Sequence, residues 1–281
     1  MFLLTACLVL TTGAESQKSA AAQQWREVAN APDFFHEMAL LQSLGQDLHE
    51  RAAVLSRLHK MWATYDMLRR PQIAYLMCQL GGRSGLEAVA SAFFAGDYDT
   101  GRELEPDGSA AGMNATEDAF RMLILYGTSQ HHQRLLTFLK PRSKDPLRKG
   151  GNLCKILLGL SSINNGPGLP VGYPRDQFPF ELAMGCLDYT EEVGTIVFSA
   201  PGGTAHSEIG PRQGATQQGS ITMSGVVGVY TQRGCDYGAQ TIQNITSQDF
   251  GHHVSDSISQ RDKAIKAIKK WWAESHSPQR G

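Results

Sequence analysis

The run RPQIAYLMCQLGGRSGLEAVASAFF, residues 70–94, decides the fold. Pro71 cannot continue a helix from upstream, and its fixed φ suits the first turn of a new one. Ile73, Leu76, Met77 and Leu80 then recur at three- and four-residue spacing, which lays an apolar stripe along a helix. Gly81-Gly82 ends that helix. Ser84 is placed to cap a second one, in which Leu86, Val89, Ala90 and Phe93 form another stripe. Two short helices, neither able to bury its apolar face alone, must stack on further helices of the same kind.

The same pattern extends in both directions. Upstream, Asp33 is placed to cap a helix bearing Phe34, Met38, Leu41 and Leu44, and Gly45 ends it. Asp47 is placed to cap the next, with Leu48, Ala52, Leu55, Leu58 and Trp62 on one side. Downstream, Thr116 reads as the cap of a helix with Glu117 and Asp118 in its first turn, followed by Phe120, Leu123 and Ile124. Leu135, Leu136, Phe138 and Leu139 follow, and Pro141 closes the unit. A third unit starts at Asp145-Pro146, runs through Leu153, Ile156, Leu157 and Leu160, and pairs with Phe180 to Leu187. The spacers Gly96 to Ala115 and Asn164 to Pro174 read as irregular.

The helical period stops after Asp188. Residues 190–232 are rich in Gly, Thr, Ser and Gln. Within them Thr195-Ile196-Val197-Phe198 and Val226-Val227-Gly228-Val229-Tyr230 have the β-branched character of short strands that can pair as a hairpin. A polar stretch, Pro201 to Ser220, lies between them. Helical spacing resumes at Cys235 with Ala239, Ile242 and Ile245, and ends at Phe250-Gly251. Ser259 with Asp262 resembles a capping box for a last helix whose inner face is Ala264, Ile265, Ile268 and Trp272.

The chain has 281 residues, 41% of them hydrophobic and 19% charged, which describes a folded globular protein with a sizeable core. Twenty-six basic residues against 27 acidic ones leave a net charge of -1, so no electrostatic footprint for nucleic acid is present. Lys263, Lys266, Lys269 and Lys270 read as a solvated helix face. The uncharged apolar start, MFLLTACLVLTTGA, is too short to span a bilayer and fits a secretory signal cleaved near Ala14. Leu4-Thr5-Ala6-Cys7 also allows a lipid anchor at Cys7. The expected organisation is a signal peptide over 1–14, a leader over 15–32 and a single helical domain over 33–281 with an insertion at 190–232. Cys78, Cys154, Cys186 and Cys235 form no CxxC pair; they read as buried small hydrophobes, or as disulfide partners whose pairing the sequence leaves open.

Motifs that carry chemistry are few. His131-His132 and His252-His253 lack the i,i+4 spacing of a helical metal site, and His252-His253 reads as an exposed turn. The glycines of 202–219 form neither GxGxxG nor a P-loop, and no GxSxG elbow is present. Glu117-Asp118 and Glu191-Glu192 read as helix or turn ends. No catalytic, cofactor-binding or metal-binding residue is assigned, and no cofactor is expected.

Two stretches resemble a known family. Arg70-Pro71-Gln72-Ile73-Ala74-Tyr75-Leu76, Gly81-Gly82 and Leu86-Glu87-Ala88-Val89 are similar to a HEAT-type repeat. Cys235 to Ile242, Ile245-Thr246-Ser247-Gln248-Asp249-Phe250-Gly251, Arg261, Ala264-Ile265 and Lys270-Trp271-Trp272 resemble the closing repeat of bacterial exported proteins with HEAT-like repeats. Phe178 to Ala183 with Cys186-Leu187-Asp188 looks like the helix before it. In that family the turn reads like TGQDFG, and here Ser247 stands at the glycine. The resemblance implies an all-α fold of stacked helix pairs (a HEAT-like α/α superhelix), export to the periplasm or beyond, and binding or scaffolding of a protein or peptide. It carries no catalytic residue. The function expected is a non-enzymatic interaction or scaffold protein of the cell envelope. The alternatives are an exported enzyme with a site built from loop 190–232 and adjacent helix ends, or a structural subunit of an envelope assembly.

Overall fold

The apolar stripes of the sequence become helices, and the described parts of the glycine-rich insertion form a small sheet. The computed structural model describes residues 19–98, 111–140, 149–162, 169–170, 173–199, 207–208 and 226–276. The signal over 1–14, the Cys7 motif, Pro141, Asp145-Pro146 and most of the polar stretch 201–220 lie outside them. The described chain is mainly helical, with one antiparallel sheet. No helix among the described residues is long and apolar enough to cross a membrane. Internal contacts divide the chain into two compact units, at Met122/Leu123.

The first unit holds α1 (19–29), α2 (Phe34–Leu44), α3 (Arg51–Thr64), α4 (Arg70–Gln79), α5 (Leu86–Ala95) and the start of α6 (Ala111–Tyr126). Helix α1 lies inside the stretch expected as a leader, and its Val28 is buried in the same core as Phe34, Met38, Leu41, Leu44, Val54, Leu58, Met61, Ile73, Leu76, Met77 and Leu80. Asp33 caps α2 through its carboxylate, which accepts the His36 N–H at 2.9 Å. Other boundaries shift. Asp47 makes a turn onto His49 N–H instead of capping α3, which leaves Leu48 72% exposed outside the stripe. Gly85, not Ser84, is the cap of α5, because the backbone there has φ 94°. Ser84 instead bonds the ring of His59. Thr116 lies within α6 and donates to the Tyr98 carbonyl at 3.2 Å, so the helix begins earlier than its acidic pair suggested and the spacer is shorter.

Asp118 gives this unit a pH dependence. The side chain is buried beside Arg121 and Glu117. Burial pushes its carboxyl up to about 6, although Arg121 pulls the other way. The folded value exceeds the ordinary 3.8, so the stability linked to this group is complete below that value and is lost as the pH rises through about 6. The loss should be about 3 kcal/mol. Urea midpoints measured across this range should decline with rising pH in the parent and stay nearly flat in Asp118→Asn; parallel declines would contradict the assignment.

The second unit holds the rest of α6, α7 (Ser129–Leu136), a 3₁₀ turn (Thr137–Leu139), α8 (Lys149–Ser161), a second such turn (Arg175–Gln177), α9 (Phe180–Cys186), β1 (Glu192–Ser199), β2 (Ser207–Glu208), β3 (Val226–Arg233), α10 (Gly234–Thr246) and α11 (Ile258–Ser275). Helix α10 lies against α8, α9 and α11. Its Cys235, Ala239 and Ile242 share a core with Ala183, Leu187, Ile265 and Ile268. The two strand-like runs pair antiparallel as read, with Ile196 opposite Tyr230 and Val197 opposite Val229. The strand order is β2-β1-β3.

The last turn and helix refine the sequence reading. Ser247 closes α10 at φ 54°, the one left-handed non-glycine backbone among the described residues. That is the position where the resemblance placed a glycine. Ser247→Gly should raise stability by about 0.5–1 kcal/mol, the relief of left-handed strain less the extra freedom of glycine when unfolded. A lower melting temperature would contradict this. The capping box of α11 is Ser257 with Gln260, two residues before the expected Ser259 and Asp262, because Asp262 is engaged by Arg233. Trp272 is half-buried instead of an inner-face anchor. Its ring stacks on Phe180 at 4.7 Å and 17°, while Trp271 packs against the core cluster.

Candidate functional site

The insertion meets the helical body at the segment Thr231-Gln232-Arg233-Gly234-Cys235-Asp236. Arg233 keeps extended backbone (φ -95°, ψ 162°), so the strand passes into α10 without a loop. Gly234 starts the helix against Tyr189: a Cβ there would lie 2.3 Å from the Tyr189 ring and 3.0 Å from its carbonyl. That approach lets Gly234 N–H donate to the Glu191 carbonyl and Cys235 N–H to the Tyr189 carbonyl. Asp236 falls in the first turn, where the helix dipole favours a carboxylate.

Asp236 is the centre of a buried ionic network. The Arg233 backbone N–H donates to Oδ2 at 2.9 Å, and its guanidinium donates to both oxygens at 3.1 and 3.0 Å. Arg261, from α11, donates to Oδ2 at 2.6 Å and to the Thr231 carbonyl at 3.1 Å. His252, from the α10–α11 turn, approaches Oδ1 through Nε2 at 3.2 Å. Asp236, His252 and Arg261 are 0%, 2% and 3% exposed. Arg233 also reaches Asp262 at 2.8 Å, at the more exposed margin of the network. Burial alone would raise the Asp236 carboxyl, but hydrogen bonds from His252 and Arg233 hold it well below the usual carboxylate range. The bond to Asp236 raises the Arg233 guanidinium further still.

The turn carrying His252 is itself fixed. Gln243 Oε1 accepts the Phe250 and His252 N–H groups at 3.1 and 3.2 Å, and its Nε2 donates to the His252 carbonyl at 3.1 Å. A carboxylate on one imidazole nitrogen is the arrangement that orients a histidine as base or ligand. Here His252 Nδ1 has no hydrogen-bond partner among the described residues, and the side chain is fully enclosed. With five donors on Asp236 and enclosed side chains, the network serves to hold β3, α10 and α11 in one geometry. Among the described residues no group of three or more His, Cys, Asp or Glu side chains is arranged to hold a metal ion.

The hairpin stem has further anchors. A Cβ at Gly151 of α8 would meet Val193 at 2.9 Å, and one at Gly194 would meet the Tyr237 hydroxyl at 3.1 Å. Tyr189 OH donates to Glu191 Oε2 at 2.7 Å. Gln232, opposite Gly194 in register, is buried, and its amide has no partner among the described residues.

The pairs weighed in the sequence are placed as follows. His252 is buried, which corrects the reading of His252-His253 as an exposed turn; only His253 is exposed. His131 is buried at the start of α7, where its Nδ1 accepts the Thr128 N–H at 3.1 Å. His132 donates to the Leu123 and Ile124 carbonyls, each at 3.1 Å. Glu117 and Asp118 share Arg121 inside α6 instead of opening it. Sequence reasoning missed Asp236, His252 and Arg261 as a set. One signal was available: Arg261 falls on the stripe of Ala264, Ile265 and Ile268, so an arginine on the buried face required a buried anion.

In the first unit, Ala31, Pro32, Ala39 and Leu40 line a shallow groove of about 470 Å³ beside Glu27, Asn30 and His36. Compared with known proteins, the chain matches no family model, no curated protein and no solved structure.

Proposed function

We propose that the chain is a non-enzymatic protein- or peptide-binding module of the cell envelope, and that its recognition element is the insertion carried between β1 and β3. One observation supports this reading above others. The stem of that insertion is fixed to three helices by a buried ionic network and by close glycine contacts. A polar segment with little apolar area adds little to a core, yet here its base is held by several buried charges. Expensive anchoring of a loop is what presentation of a binding surface requires. The same helix ends carry the Asp236–His252 pair, which is the observation in favour of an exported enzyme. Full enclosure of both side chains and saturation of the carboxylate favour the binding reading.

The test is to replace residues 200–225 with a short Gly-Ser link, leaving β1 and β3 intact. Ser199 belongs to β1 and is kept. Helical circular dichroism and melting temperature should stay close to those of the parent, because the stem anchors remain. A photo-crosslinker placed at Gln217 in the parent should identify one partner of defined mass in envelope extract, and affinity pull-down of that same partner, seen with the tagged parent, should be lost with the tagged loopless chain. Retention of the partner by the loopless chain would reject the loop as the recognition element. Hydrolytic or transfer activity that vanishes in His252→Ala, with the fold intact, would favour the enzyme instead.

A further inference from the structure

Ser84 and His59 meet on the surface of the first unit, and both side chains are exposed. His59 lies on α3 between Leu55 and Trp62, at a spacing that puts the three on one face. Two glycines lay the link between α4 and α5 on that face. A Cβ at Gly82 would lie 3.2 Å from the Leu55 side chain, and one at Gly85 would lie 3.1 Å from the Trp62 ring. Ser84, between them, is placed with Oγ 2.7 Å from His59 Nε2. The other ring nitrogen decides where the proton sits. His59 Nδ1 is 2.8 Å from the Leu55 carbonyl, which can only accept, so in the neutral ring Nδ1 carries the hydrogen and Nε2 presents its lone pair to the Ser84 hydroxyl. The Met77 sulfur, 3.6 Å from the same hydroxyl, is the weaker acceptor. Ser84 stands just before the Gly85 cap of α5, and no side chain caps that helix. The serine suited to do so is turned to His59 instead.

We propose that Ser84 is an acyl-acceptor site, which with His59 as its base takes one acyl group from a donor with a good leaving group, such as an aryl ester or a thioester. A hydroxyl within hydrogen-bond reach of a base that a third group orients is the arrangement that activates a serine. Here the Leu55 carbonyl is that third group. Ser84 Oγ forms a bond to the acyl carbon while its proton passes to His59 Nε2. The bond from that carbon to the leaving oxygen or sulfur breaks, and the leaving group takes the proton from His59. One acyl bond is made and one broken, and nothing is oxidised or reduced. The start of α5, beside Ser84, favours the negative charge that develops on the acyl oxygen. The exposed setting gives the donor access but encloses neither the acyl group nor a water to release it, so uptake ends at one group per chain. The site lies in the first unit and is independent of the loop reading.

The experiment incubates the full chain with p-nitrophenyl acetate at neutral pH, follows nitrophenolate release and maps acetylated peptides by mass. The expected result is a burst of one nitrophenolate per chain, with the acetyl group on Ser84. Ser84→Ala should abolish the burst, and His59→Gln should slow acetylation of Ser84 roughly a hundredfold, the loss of a positioned base. Both variants change exposed side chains and should melt with the parent. Acetyl groups confined to lysines or to His59, or equally fast acetylation of Ser84 in His59→Gln, would overturn the proposal. Release that runs past one equivalent in the parent and stops in Ser84→Ala would overturn single uptake in favour of hydrolysis.

Discussion

Asp236→Ala should cost about 3–5 kcal/mol, the typical penalty for removing one partner of a buried ion pair. Two guanidiniums converge on this carboxylate, at 3.0 Å from Arg233 and 2.6 Å from Arg261. Arg261 is 3% exposed, so without Asp236 it would keep, among the described residues, only the Thr231 carbonyl and lie uncompensated in the core. Asp262 can still screen Arg233 from the margin, which places the loss with Arg261. Double replacement of Asp236 and Arg261 by alanine should therefore be less destabilising than the sum of the single changes. The network also sets an acid limit. The carboxyl is held below its ordinary 3.8, so the stability it contributes is present above that value and lost as the pH falls below it. This is opposite in sign to the behaviour of Asp118. Urea unfolding of the single and double variants at neutral and acidic pH checks both points. A loss under 1 kcal/mol for Asp236→Ala would show that the arginines find other partners.

Gly238→Ala should destabilise by about 2–3 kcal/mol, although alanine is the better helix former by about 1 kcal/mol in an open helix. The added methyl would lie 2.9 Å from Cys186 Cβ and 3.0 Å from the Ala183 carbonyl. Neither can swing aside, since one is a Cβ fixed to α9 and the other is its backbone, so α9 and α10 must move apart. Their separation opens the core of Ala183, Leu187, Ala239 and Ile242. Thermal melts of Gly238→Ala against the parent read the outcome. An unchanged or higher melting temperature would mean that the two helices are not packed through this glycine.

Local patterns were the legible part of the sequence. The stripes Ile73-Leu76-Met77-Leu80 and Leu86-Val89-Ala90-Phe93 become α4 and α5 because period and punctuation agree there. The strands were legible from β-branched runs, whereas Ser247 in place of a glycine gave reason to expect a different turn, and the backbone there is left-handed all the same. Helix starts were less legible. At Ser84, Thr116 and Ser259 a good capping side chain was present, but glycine geometry at Gly85, the bond from Thr116 to Tyr98 and the claim of Arg233 on Asp262 decided otherwise. Helix α1 was hidden because its polar residues gave Val28 and Trp25 no visible stripe. The ionic network was least legible. Its members are spread over Arg233, Asp236, His252 and Arg261, and only the chain reversal between α10 and α11 brings them within bonding distance.

The claim that the insertion stands on a fixed stem is tested most directly by hydrogen exchange, followed by mass spectrometry, of peptides spanning 226–236 in the parent and in Asp236→Asn. The parent should protect these amides as well as those of α10, and the variant should lose protection in β3 and at the start of α10 while α3 to α5 exchange as before. Rapid exchange of β3 in the parent, or unchanged protection in Asp236→Asn, would contradict it.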